Sequence, residues 1–102
     1  MKAVRVQYTV RAEYAEQNRK NIQRVMDSLK ENPINGMKYS TYTDHDDPNT
    51  FIHINMAPDS TTIAKLNDLQ EFKDFRQALK ESQPVSPPNR MDLELVAAGF
   101  EF

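Results

Sequence analysis

The chain has 102 residues, 38% of them hydrophobic and 27% charged, which suits one domain built on one two-layer core. Its 13 basic and 15 acidic side chains leave a formal charge of −2, so no positive surplus draws it to nucleic acid. With no cysteine, a disulfide framework and a thiolate metal centre are both excluded.

No apolar run approaches a membrane span. The start, Met1-Lys2-Ala3-Val4-Arg5-Val6, mixes charge with apolar residues and does not read as a signal peptide. The expectation is a cytoplasmic protein with neither a membrane nor a nucleic acid as partner.

Val4, Val6, Tyr8 and Val10 alternate with Arg5, Gln7 and Thr9, so the first strand is predicted to turn its even positions to the core. A helix is predicted from Glu13 to about Glu31. Its stripe is Tyr14, Ile22, Val25, Met26 and Leu29, interrupted by Asn18. Glu16 and Lys20 form a favourable pair on its outer face. Pro33 ends it.

Asn35-Gly36 turns the chain into a second strand, Met37 to Thr43, with Tyr39 and Tyr42 on opposite faces. Pattern alone leaves open which of the two meets the core. Asp44-His45-Asp46-Asp47-Pro48-Asn49 reads as a hairpin loop, not a metal site, because its residues are too closely spaced to converge on an ion.

The third strand, Thr50 to Met56, alternates most cleanly. Ile52, Ile54 and Met56 are assigned to the core face, and Phe51, His53 and Asn55 to the other. Pro58 stops it.

Asp59-Ser60-Thr61-Thr62 is a cluster of capping residues, followed by Ile63, Leu66, Leu69, Phe72, Phe75 and Leu79. The tight spacing predicts a short helix near 60–67 and a longer one from Leu69 to about Glu81, with Asp68 and Glu71 resembling a capping box. Gln83 to Arg90 holds Pro84, Pro87 and Pro88 and reads as a stiff connector. A fourth strand is predicted from about Asp92 to Phe100.

The order βαββαβ predicts an α+β, ferredoxin-like sandwich, with antiparallel sheet order 4-1-3-2 and both helices on one face. On that reading the uncovered face carries Arg5, Gln7 and Thr9, then Phe51, His53 and Asn55, then Glu94, Val96 and Ala98. Arg5 and Glu94 are then adjacent and expected to form an ion pair. This face can stand bare, bind RNA or meet a second copy of itself. RNA binding needs stacking aromatics and a basic surround; the first strand offers Arg5 and Gln7 in place of a ring.

Gly36-Met37-Lys38-Tyr39-Ser40, Asp46-Asp47 with Thr50-Phe51-Ile52-His53-Ile54, and Leu66, Leu69, Phe72, Phe75 and Leu79 together resemble the antibiotic biosynthesis monooxygenase-like proteins of the dimeric α/β-barrel superfamily. The resemblance covers nearly the whole chain and is greatest to small uncharacterised members. It implies a homodimer whose sheets face each other and close a barrel that can hold a small molecule. Some members oxygenate aromatic substrates without metal or flavin, so no cofactor is expected. The chain has no tryptophan, a usual pocket residue of those oxygenases.

His53 is the candidate catalytic residue. A histidine titrates near pH ~6.5 and can serve as the base that cofactor-free oxygenation requires. The structural alternative is a histidine that only satisfies its neighbours. Arg5, Tyr39, Tyr42, Phe51 and Asn55 are the candidate substrate-binding residues; the polar ones can hold a substrate anion. The enzyme reading places chemistry in the barrel; the alternative is a dimeric binding module without chemistry. An open pocket beside His53 distinguishes them.

Overall fold

Strand β1 spans Lys2–Thr9 in the computed structural model, which describes residues 1–101. A single 3-10 turn at Ala12–Tyr14 leads into helix α1, Ala15–Glu31. The helix forms because Ala15, Asn18, Ile22 and Val25 fall on one buried stripe. It stops at Asn32, whose N–H donates to the Ser28 carbonyl, just before Pro33.

Gly36 makes the next turn with φ +82°, a conformation that favours glycine; a Cβ there would also lie 3.1 Å from Pro58 Cδ. Strands β2 (Lys38–Asp44) and β3 (Asp47–Ala57) then form a hairpin. Its acidic tip binds its own backbone: Asp44 accepts from the Asp46 N–H at 2.9 Å and Asp47 from the Asn49 N–H at 3.0 Å.

Asp59 caps the short helix α2 (Ser60–Ala64), accepting from the Thr62 N–H at 2.8 Å and the Thr62 hydroxyl at 2.7 Å. A 3-10 segment, Lys65–Asp68, joins it to α3 (Gln70–Glu81). The expected break between two helical pieces is therefore present. The capping box is not: Leu69 occupies the cap, and Glu71 instead accepts from the Ser28 hydroxyl of α1 at 3.3 Å.

The sheet runs β2-β3-β1-β4, antiparallel throughout. This is the ferredoxin-like α+β sandwich, in the order read from the sequence. The even positions of β1 face the helices as expected: Val4, Tyr8 and Val10 are buried.

Strand β4 departs from expectation. It spans Ser86–Leu93, so the proline-rich connector is itself the strand, and Glu94, Val96 and Ala98 lie beyond it. An edge strand pairs on one side only, which lets it carry proline. Pro87 and Pro88 sit where the β1–β4 register shifts, between the Thr9–Ser86 and Gln7–Asn89 pairs. The expected Arg5–Glu94 ion pair does not form: Arg5 lies opposite Met91 and donates to Gln7 on its own strand.

The faces of β3 are also reversed. Val6 pairs with His53, Tyr8 with Phe51 and Val4 with Asn55. Directly opposed residues share a face, so Phe51, His53 and Asn55 join the helix side. Ile52, Ile54 and Met56 share the uncovered face with Gln7, Arg5 and Ala3. The cause lies at His53: Tyr8, Tyr39 and Thr41 bond both of its ring nitrogens beneath the helices, which offsets the cost of burying it.

No helix among the described residues is long and apolar enough to cross a membrane.

Candidate functional site

The helix face of the sheet carries a row of stacked rings. Phe51 and Tyr8 stack with centroids 5.7 Å apart, Tyr8 and His53 at 5.3 Å, and His53 and Tyr39 at 5.8 Å. Phe75 of α3 closes over His53 at 5.4 Å. The row follows from alternation: odd positions of β2 and β3 and even positions of β1 point the same way.

A chain of hydrogen bonds runs along this row. Asn18 of α1, fully buried, donates to the Tyr8 hydroxyl at 2.9 Å. Tyr8 meets His53 Nε2 at 2.8 Å, and His53 Nδ1 meets the Tyr39 hydroxyl at 2.6 Å and the Thr41 hydroxyl at 3.0 Å. Because Tyr8 already accepts from Asn18, its own proton is available to His53 Nε2. In that arrangement the neutral imidazole carries its proton on Nδ1 and donates to Tyr39; in the other tautomer Nε2–H donates to Tyr8 and Tyr39 donates to Nδ1.

Every member is uncharged at neutral pH. Burial lowers the His53 pKa from 6.5 to about 4, because imidazolium loses its hydration there. Burial raises the phenols of Tyr8 and Tyr39 well above their ordinary value, since phenolate is desolvated too. His53 is thus a neutral relay between two phenols in the free protein.

The row borders a cavity of about 330 Å³ between the sheet and α2–α3. Tyr8, Tyr39, His53 and Asn55 form its polar end; Val4 and Val6 form its floor; Phe75 and Leu79 form its roof. A volume of a few hundred Å³ with mostly apolar walls and a few convergent polar groups fits a small molecule. Asn55 is 6% exposed; among the described residues its Oδ1 has no hydrogen-bond partner, and its Nδ2 reaches the Met37 sulfur at 3.6 Å. An unsatisfied buried carbonyl on a cavity wall is a ready acceptor for a ligand donor.

Of the residues singled out in the sequence, His53, Tyr39 and Asn55 therefore meet at one wall. The expectation that His53 and Asn55 share a face with Arg5 is overturned: Arg5 and Tyr42 lie on the uncovered face, and Tyr42 is 55% exposed. Phe51 is buried beneath Tyr8, with the Arg19 guanidinium over its ring at 5.5 Å, and does not line the cavity. The strand-two tyrosine on the helix side is Tyr39.

Sequence reasoning missed Asn18, Thr41 and the part Tyr8 plays beyond packing. Asn18 carried a signal: it lies four residues from both Tyr14 and Ile22, so a polar side chain stands on the apolar stripe.

Comparison with solved structures decides the fold family. The chain superimposes on a crystal structure of an antibiotic biosynthesis monooxygenase with a TM-score of 0.82, at 14% identity over 95% of this chain and 100% of that one. This chain has the fold of the antibiotic biosynthesis monooxygenase-like proteins. Rv0793 from Mycobacterium tuberculosis matches with a TM-score of 0.82, at 12% identity over 97% of this chain and 98% of that one. SnoaB, a cofactor-independent oxygenase from Streptomyces nogalater, matches with a TM-score of 0.73, at 14% identity over 98% of this chain and 97% of that one. No protein-family model and no curated protein matches the sequence. At these identities the monooxygenase-like likeness is one of fold.

Proposed function

We propose that this chain is a cytoplasmic homodimer, one domain per subunit, that binds a small molecule in the helix-side cavity beside His53. The observation that carries this reading is the cavity itself: apolar on most sides, with His53, Tyr39 and the unpartnered Asn55 carbonyl converging at one end.

The dimer rests on the reversed strand. Ile52, Ile54 and Met56 point away from the helices, beside Tyr42 and Met91, both about half exposed. A sheet covered on one side and carrying an apolar strip along β3 on the other accepts a second layer, and a second sheet of the same kind completes a barrel.

The enzymatic form of this reading is cofactor-independent oxygenation. An electron-rich phenolic substrate loses a proton through Tyr39 to His53 Nδ1, with the imidazole in the tautomer that donates from Nε2 to the Tyr8 oxygen, and then reduces dioxygen. A ring C–H para to the phenol becomes a carbonyl, so that the phenol becomes a quinone, and the second oxygen atom leaves as water. The fold likeness to SnoaB supports this reading. Neutral His53 supports the second reading, binding without chemistry, because an imidazole with a pKa of about 4 is a weak base.

Oxygen uptake by the purified protein with an electron-rich naphthol separates the two. Uptake that disappears in His53→Ala supports oxygenation. Naphthol binding without uptake supports the binding module.

A further inference from the structure

Asn55 and Met37 join the wall of the cavity to a second hollow. Asn55 borders the cavity, and its Nδ2 donates to the Met37 sulfur at 3.6 Å. Met37 lines a separate groove of about 320 Å³, shared with Met26, Leu29 and Ile34; Tyr39 borders both spaces. The Met37 N–H donates to the Ile34 carbonyl at 3.1 Å, which fixes the backbone just before β2. Its side chain packs half-buried against the core.

This contact leaves a buried amide under-bonded at both ends. A thioether is a weak acceptor and has no proton to donate, so it takes the amide nitrogen and gives that N–H less than an oxygen would. The Oδ1 of the same amide has no hydrogen-bond partner among the described residues. Buried polar groups are normally satisfied, and two deficits on one side chain point to a second state in which one of them is met.

We propose that Met37 is a site of oxidation by peroxide and that Asn55 senses its state. The peroxide O–O bond breaks, one oxygen bonds to the sulfur, and the other leaves as water. The thioether is oxidised to the sulfoxide and the peroxide is reduced. In a sealed apolar core the new polar oxygen would disrupt packing. Here a buried N–H stands beside the sulfur and gains a strong acceptor. The oxidised form holds the Asn55 amide, and with it the carbonyl at the cavity wall, in one orientation. Sulfoxide formation is undone by dedicated reductases, so the contact has two interconvertible states. The inference needs only this contact; it does not depend on which molecule the cavity takes, or on whether it takes one.

The test treats the full chain with hydrogen peroxide. Peptide mass spectrometry locates the sulfoxides, and nitrogen–proton NMR follows the side-chain amides. Met1 and Met91, more exposed than Met37, report that the oxidant has acted. The expected result is one added oxygen on Met37 and a downfield shift of the Asn55 amide protons larger than that of any other asparagine or glutamine. Met37→Leu nearly conserves volume, a change that cores tolerate, and is expected to show no such shift under the same treatment.

Met37 left reduced once Met1 and Met91 are oxidised overturns the inference. So does an Asn55 shift that is absent in the oxidised wild type or equally large in Met37→Leu. Loss of the folded spectrum when Met37 is oxidised overturns it too, because the site would then not accommodate the sulfoxide.

Discussion

Asn18 and Tyr8 meet across the helix–sheet interface, amide to phenol at 2.9 Å, with both side chains buried. The contact ties α1 to the relay, because the same hydroxyl reaches His53 Nε2 at 2.8 Å. Replacing Tyr8 with Phe leaves a buried amide N–H and an imidazole nitrogen unpaired. The variant is expected to lose about 2–4 kcal/mol of stability in urea unfolding. The double variant Asn18→Leu, Tyr8→Phe is expected to lose less than the sum of the single changes, since the two side chains share one bond.

Acid is expected to destabilise the protein through His53. Its pKa is about 4 in the folded chain and 6.5 when free of the fold. Between these values the unfolded state binds the proton and the folded state does not. Stability from this group is therefore complete above pH 6.5 and lost as pH falls to about 4, in total about 3 kcal/mol. Urea unfolding followed across that window is expected to show the slope in the wild type and a flattened slope in His53→Leu.

The predicted sheet order was legible because β1 alternates apolar with polar and its even face packs on the helices. The faces of β3 were not legible in the same way. Hydropathy ranks Ile52 and Ile54 above His53 and Asn55, but it does not register that Tyr8, Tyr39 and Thr41 stand ready to bond the imidazole. Burial of a polar side chain is decided by its partners, and those lie on other strands. Strand β4 was missed for a different reason. Pro87 and Pro88 read as breakers, yet an edge strand with a shifted register accommodates both. Arg76 and Arg90 had no signal at all, since they come from α3 and β4 and border one cavity only in the folded chain.

The uncovered face is expected to hold the dimer together. Ile54 lies opposite Arg5 on one side and Ser40 on the other, near the centre of that face. Replacing it with Glu places a charge where two sheets meet, a cost no partner offsets. Light scattering is expected to give a dimer for the wild type and a monomer for Ile54→Glu. Far-ultraviolet circular dichroism is expected to be unchanged, because the residue does not touch the helices' core.

The α2 cap is expected to contribute modestly. Asp59 accepts from both the N–H and the hydroxyl of Thr62, and these bonds hold its carboxyl below the ordinary range. Asp59→Ala is expected to lower the urea midpoint of unfolding, because the Thr62 N–H at the start of α2 loses its acceptor.

The site's location on the helix side of the sheet is the claim on which the functional reading turns. Isotope-filtered nuclear Overhauser spectra of the labelled protein with unlabelled naphthol test it directly. The expected result is cross-peaks from the naphthol ring to His53, Phe75 and Leu79. Cross-peaks to Ile52, Ile54 and Tyr42, with none to those three, would place the ligand between the sheets and contradict the account.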